Sequence, residues 1–278
     1  MKSKYDVLSA QCSRATTNMY STSFSLGINL LGKELRAPIH AIYGFVRLAD
    51  EIVDSFHDHD KVLLLSKFKT DCYEALDMGI SLNPILNSFQ KTVNDFNIDR
   101  DLIDLFLQSM EMDLEKQVHT AATYDQYILG SAQAVGLMCL HVFSFGDKAT
   151  YNSLSPAAMK LGSAFQKVNF LRDINADYHE LGRAYFPGVK PTFFSETEKR
   201  QLETEIAYDF AEGLKGIKAL PATSKKGVYL AYVYYQKLFQ KIKRTNAEKV
   251  MSERIRLSNG YKCWLALDSM LRYKIGVL

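Results

Sequence analysis

Leu48-Ala49-Asp50-Glu51-Ile52-Val53-Asp54 sets three carboxylates into five positions of a segment that otherwise reads as a buried helix. On a helix running from about Pro38 to Phe56, Asp50 and Asp54 are i and i+4, so they leave one face about 6 Å apart along the axis. Arg47 and Tyr43 fall on the same stripe. Two half-buried carboxylates that close raise each other's pKa unless a cation lies between them. Mg2+ reverses that penalty, because it takes hard oxygen ligands, keeps several waters and is completed by substrate phosphates. Alone, the pair is also consistent with an ordinary solvated helix face.

A second acidic pair strengthens the metal reading. In the segment from Gln166 to Asp177, Asp173 and Asp177 are again i and i+4, and Gln166 and Asn169 continue their stripe upward. Val168, Phe170, Leu171 and Ile174 flank it, so the stripe can face an interior cavity. Two such stripes, far apart in sequence, could face each other across a bundle, a usual place for metal sites.

The rest of the chain reads as helix. Asn83-Pro84 and Ser155-Pro156 look like N-caps followed by proline at the first helical position, and Ser195 to Glu198 has capping-box spacing. From Pro156 to Leu181 apolar residues recur at helical spacing, predicting a helix of about 26 residues, roughly 39 Å, stopped by Gly182. Gln126 to Gly146 carries no Asp, Glu, Lys or Arg and is long enough to span a bilayer. Its Gln126, Ser131, Gln133 and His141 favour a buried helix instead, with the membrane span as the alternative. No sustained strand alternation, internal repeat or linker appears; Asn259-Gly260 is a turn dipeptide without a partner strand. The expected architecture is all-α, a single domain over residues 1–278.

A 47% hydrophobic, 23% charged composition is that of a globular protein. Cys12, Cys72, Cys139 and Cys263 are scattered, which suggests neither disulfides nor structural zinc and fits a reducing cytoplasm. The N-terminus lacks the apolar run of a signal peptide. His57-Asp58-His59-Asp60 reads as a solvated helix end rather than a metal site. From Lys215 to Lys274 there are fourteen Lys/Arg against three Asp/Glu, interleaved in part with Tyr229, Tyr232, Tyr234 and Tyr235. That region suits anionic lipid headgroups or diphosphates; a nucleic-acid-binding module is the alternative from another class.

Ser21 to Ser25, Ala41 to Asp54, Ser109 to Leu114, Asn169 to Asp177 and Gly182-Arg183-Ala184-Tyr185-Phe186-Pro187 resemble, in order and spacing, the successive signatures of the phytoene/squalene synthase family. The forms of the first and last look most like those of bacterial phytoene synthases. The resemblance implies an isoprenoid-synthase helical bundle with a central active-site cavity. It implies a prenyltransferase that condenses two prenyl diphosphates head to head through a cyclopropyl diphosphate. Geranylgeranyl diphosphate giving phytoene, the first committed step of carotenoid biosynthesis, is the expected case; a dehydrosqualene or squalene-type synthase using farnesyl diphosphate is the alternative.

By the same resemblance, Asp50, Asp54, Asn169, Asp173 and Asp177 hold Mg2+, or Mn2+ in its place, against the diphosphates. Arg47 and Arg172 bind diphosphate oxygens, though spacing alone equally allows salt bridges to Asp50 and Asp173. Ser23, Phe24, Tyr43, Gln166, Tyr235 and Arg254 line the substrate site, with Arg256 in the diphosphate surroundings; core packing is the plainer reading of Phe24 and Tyr43. Tyr127 opens a small-residue helix against which a prenyl chain would lie. Gln133 replaces a glycine usual there and could shorten the cavity. No NADPH is expected. The protein is expected in the cytoplasm, with peripheral contact at the inner face of an anionic membrane and no nucleic-acid partner. Its oligomeric state is open.

Overall fold

The computed structural model describes residues 2–115, 119–189, 194–258, 260–262, 264–265 and 268–269. Among these residues there are twelve α-helices, one π-helical segment and no β-strand. They run α1 (Lys2–Tyr20), α2 (Thr22–Asn29), α3 (Lys33–Asp54), α4 (Lys61–Met78), α5 (Pro84–Phe96), α6 (Arg100–Met112), α7 (Ala121–Ile128), a π segment (Leu129–Ala134) and α8 (Val135–Phe143). Then follow α9 (Lys148–His179), α10 (Glu196–Ala219), α11 (Ala222–Lys243) and α12 (Ala247–Ser252). Cys263 and Asn259 lie outside the described residues.

Local chemistry fixes many of the starts. Asn83 accepts from Ile85 and Leu86 with Pro84 in the first turn, and Ser195 closes a reciprocal capping box with Glu198. Asp60, last of the His57 to Asp60 run, caps α4 by accepting from Leu63 at 2.9 Å. Proline placement differs from expectation. α3 begins at Lys33, with Pro38 inside it, and α9 begins at Lys148, capped by Asp147, with Pro156 inside it. Ser155 bonds back to the Tyr151 carbonyl at 2.7 Å instead of capping a new helix. Proline forfeits one backbone hydrogen bond but does not stop a helix whose two faces are otherwise packed.

The apolar stretch after Gln126 is also more complex than one buried helix. α7 passes through the π segment into α8, and the whole run lies between α6 and α9. Ala121–Phe143 is long and apolar enough to cross a membrane, yet Ile128, Ala134, Met138 and Val142 are buried in the bundle. A Cβ on Gly130 would sit 2.2 Å from the Leu105 carbonyl oxygen, so only glycine allows this approach to α6.

Two apolar clusters hold the helices. One joins α3 to α6 and α8, with Phe45 stacked on Phe89 at 3.9 Å and both fully buried. The other joins α9, α10 and α11 around Phe210 and Phe239. Buried Asp209 on α10 braces α9 by accepting from Lys160 at 2.9 Å and Lys167 at 2.6 Å. A cavity of about 740 Å³ opens between the clusters.

Candidate active site

The cavity runs from a charged mouth into apolar depth. Arg47, Asp50, Asn169, Arg172, Arg254 and Lys262 stand in its wall at one end, and Leu140, Phe143, Leu154 and Ile217 at the other. Every residue assigned to substrate contact from the sequence lines it: Ser23, Phe24, Tyr43, Arg47, Tyr127, Gln166, Arg172, Tyr235 and Arg254. The packing reading of the aromatics holds as well. Phe24 lies 5.8 Å from Tyr43 and 6.1 Å from Tyr235, and Tyr235 stacks on Phe165 at 4.1 Å. Gln133 is not part of the lining. Its amide donates to Ser163 at 2.8 Å, so it crosslinks the π segment to α9 and takes no room from the cavity.

α3 and α9 bring the two acidic pairs into one electrostatic cluster. Burial, reinforced by Asp54 and offset in part by Arg47, pushes the Asp50 carboxyl up to about 8. Burial, then Asp173 and Asp54, push Asp177 up to about 8 as well. Asp113, which C-caps α6, is a fifth member, pushed up to about 6 chiefly by burial while Arg183 pulls it down. A cation among these groups would remove the mutual repulsion.

The arginines divide differently from the spacing. Arg47 donates from Nε to Glu51 at 3.0 Å and keeps Asp50 at 4.0 Å, while its guanidinium lies over the Tyr20 ring. Arg172 does pair with its neighbour Asp173, at 3.0 Å from Nε. Arg254 Nε reaches the same carboxylate at 2.6 Å. Asn169 accepts from the Tyr235 hydroxyl at 3.2 Å. Tyr127 donates to Asp113 at 2.6 Å, and Arg183 donates to Asp54 at 2.7 Å.

Glu51, Asp113, Arg183 and Tyr185 therefore belong to the site although the sequence reading gave them no role. All four stood inside recognisable motifs, which was the signal available. Nothing in the spacing of Asp113, Arg183 and Tyr185 tied them to Asp54.

Among the described residues no three His, Cys, Asp or Glu side chains converge closely enough to hold a cation alone. Mg2+ does not require such a group, because it binds through one or two carboxylates and completes its shell with water and phosphate oxygens. The donors present are hard oxygens, Asp50, Asp54, Asp173, Asp177 and Asn169, and the carboxyls of Asp50 and Asp177, raised first by burial and then by neighbouring carboxylates, would gain from a cation beside them. The residues fit the ion.

Residues 17–189 match the family profile described as squalene/phytoene synthase. Phytoene synthase 1, chloroplastic, of Solanum lycopersicum is 27% identical over 246 residues, covering 80% of this chain and 58% of that protein. Presqualene diphosphate synthase of Sinorhizobium fredii is 33% identical over 168 residues, covering 60% of this chain and 58% of that one. The chain spans about three fifths of the length of such curated relatives. Among solved structures, a dehydrosqualene synthase in complex with ligand superposes with TM-score 0.80 at 19% identity, covering 98% of each chain. Squalene synthase HpnC from Alicyclobacillus acidocaldarius gives 0.71 at 19%, covering 85% of this chain and 93% of that one. The fold is that of these helical synthases.

Proposed function

Because the chain belongs to the squalene/phytoene synthase family, we propose that it condenses two prenyl diphosphates head to head, with geranylgeranyl diphosphate as substrate and phytoene as product, opening carotenoid biosynthesis. The observation that carries this reading is one cavity of about 740 Å³, largely apolar, whose wall holds Asp50, Asn169, Arg47, Arg172 and Arg254, with Asp54 acting electrostatically on both Asp50 and Asp177.

Asp50, Asp54, Asn169, Asp173 and Asp177 would hold Mg2+, or Mn2+ in its place, with the diphosphates. The bound ion supplies charge to stabilise the departing pyrophosphate. Arg47 and Arg172 flank that position and add charge-assisted hydrogen bonds to it. Leaving of the first diphosphate makes an allylic carbocation, which alkylates the double bond of the second substrate and loses a proton to give a cyclopropyl diphosphate. The aromatic faces of Phe24, Tyr43, Phe165 and Tyr235 shield the cation from water and favour its charge. The second ionisation, rearrangement and loss of a proton leave a hydrocarbon with a central double bond and consume no NADPH.

The depth of the cavity supports a C20 chain. From Arg172 down α9 to Ala157 is fifteen residues, about 22 Å at ~1.5 Å per residue. A zigzag carbon chain advances roughly 1.25 Å per bond, from a bond of about 1.52 Å and a near-tetrahedral angle. The sixteen-carbon main chain of a geranylgeranyl group is then about 19 Å long. With Gln133 turned to Ser163, the floor does not rise to meet it.

The purified protein is incubated with Mg2+ and C20 or C15 diphosphates without NADPH. A hydrocarbon with the ultraviolet absorbance of a conjugated triene, formed faster from C20, is expected. The 33% identity to a presqualene diphosphate synthase favours a second reading, in which turnover ends at the cyclopropyl diphosphate; accumulation of that compound would establish it. Nothing formed from either substrate refutes both. We place the protein in the cytoplasm, meeting anionic lipid at the inner face of the membrane through its basic C-terminal region. That region lends Arg254, Arg256 and Lys262 to the cavity, which suits diphosphate better than nucleic acid.

A further inference from the structure

Arg183 is reached from α9 through Gly182, whose φ of +70° turns the chain back on itself. The Arg183 amide then donates to the Asp177 carbonyl at 2.8 Å, so this residue is tied to the helix of the second acidic pair. Its side chain is 5% exposed and crosses to two other helices. Nη1 donates to Asp54 Oδ1 at 2.7 Å and lies 3.4 Å from the Tyr185 hydroxyl. Nη2 donates to the Asp113 carbonyl at 2.7 Å and the Val53 carbonyl at 3.3 Å. Nε faces Asp113 Oδ1 at 3.4 Å. One guanidinium therefore joins the ends of α3, α6 and α9.

The far side of this joint is braced too. Asp113 receives the hydroxyls of Tyr127, at 2.6 Å, and Tyr185, at 3.1 Å. Tyr185 stacks on Phe170 of α9 at 4.0 Å. Among the described residues, Arg183 engages Asp54 through Oδ1.

We propose that Arg183 is a positioning residue that acts through Asp54: it sets the two acidic helices at their working separation before any metal arrives, and holds the Asp54 carboxylate where it would face the cation. This rests on the metal reading above. A planar fork serves acceptors on several elements at once, which the single ammonium of lysine cannot.

The alternative is that Arg183 is only a counter-charge. The two accounts differ in sign. A fixed positive charge repels an incoming divalent ion, so removing a mere counter-charge tightens metal binding. Removing a positioning residue weakens it.

Mn2+ alone is titrated into the full chain and followed by the paramagnetic resonance of the free ion, for the native protein, Arg183→Gln and Arg183→Lys. Circular dichroism checks that each stays helical. Arg183→Lys keeps the buried charge and remains informative if Arg183→Gln does not fold. Mn2+ affinity is expected to fall at least tenfold in both folded variants. Native-like or tighter binding by either one overturns the proposal while leaving the metal reading intact. A native protein that binds no Mn2+ overturns the metal reading, and this inference with it.

Discussion

Replacing Cys139 by phenylalanine should shorten the hydrocarbon that the cavity accepts by one isoprene unit. Cys139 lines the cavity on α8, twelve residues beyond Tyr127; with one of them taken up by the π segment, that puts it about 16 Å deeper at ~1.5 Å per residue. Tyr127 is level with Phe170, their ring centroids 5.9 Å apart, and so lies near the charged mouth. The end of a C20 chain, about 19 Å long, reaches Cys139; a C15 chain, about 14 Å long, does not. A phenyl group projecting roughly 5 Å from the wall displaces about four main-chain carbons, the last isoprene unit. At ~0.8 kcal/mol per buried methylene, five displaced carbons are worth about 4 kcal/mol, an upper bound of roughly a thousandfold in kcat/KM for the C20 substrate. Crowding the wall costs about 1–3 kcal/mol of stability, which a melting curve reads separately. The assay is competition: equal C20 and C15 diphosphates, with hydrocarbon products separated by chain length. The C15 reaction should stay within a few-fold of native while the C20 reaction collapses. An unchanged product ratio, or equal loss of both in a folded variant, refutes the placement of the tail.

Asp→Asn at Asp50, Asp54, Asp173 or Asp177 should lower turnover by orders of magnitude with the helical dichroism intact; a variant with near-native, chelator-insensitive turnover would sink the metal assignment. His40, buried with Nδ1 2.9 Å from Thr17 Oγ1, is held down to about 4 by burial and then by Arg14. The unfolded chain binds that proton near pH 6.5, so this contribution is whole above pH 6.5 and is lost as pH falls to 4, about 3 kcal/mol in all. Denaturant melts of His40→Asn across that range should show a flatter slope than native; parallel slopes exclude the assignment. Flotation with anionic vesicles at low salt should carry the protein upward and high salt should release it; sedimentation at every salt concentration counts against the membrane surface.

Features that repeat along one helix were legible in the sequence, because a 3.6-residue period converts spacing directly into a shared face. Asp50 with Asp54, Asp173 with Asp177, and the caps at Asn83 and Ser195 are of this kind. Features that depend on a neighbouring helix were not. Pro156 reads locally as a start, and only the packing of α9 on α8 and α10 explains its place in mid-helix. Arg47 reads by spacing as a partner of Asp50, yet it turns to Glu51 and leaves Asp50 at 4.0 Å. Gln133 looked like an obstruction because its partner, Ser163, lies thirty residues away. Asp113 and Arg183 meet across seventy residues, a separation no periodicity encodes.

The π segment at Leu129–Ala134 has a consequence for the chain's history. In a regular α-helix, twelve residues turn through about 120° beyond three full circles, which would point Cys139 well away from the face of Tyr127. One surplus residue absorbed in a wide turn takes back about 100°, and both then line the same cavity. Such a turn is what a single-codon insertion leaves in an existing helix. Deleting one residue of Leu129–Ala134 should return this segment to α-helix with its flanks still in phase, whereas the same deletion in α8 would rotate everything beyond it out of register.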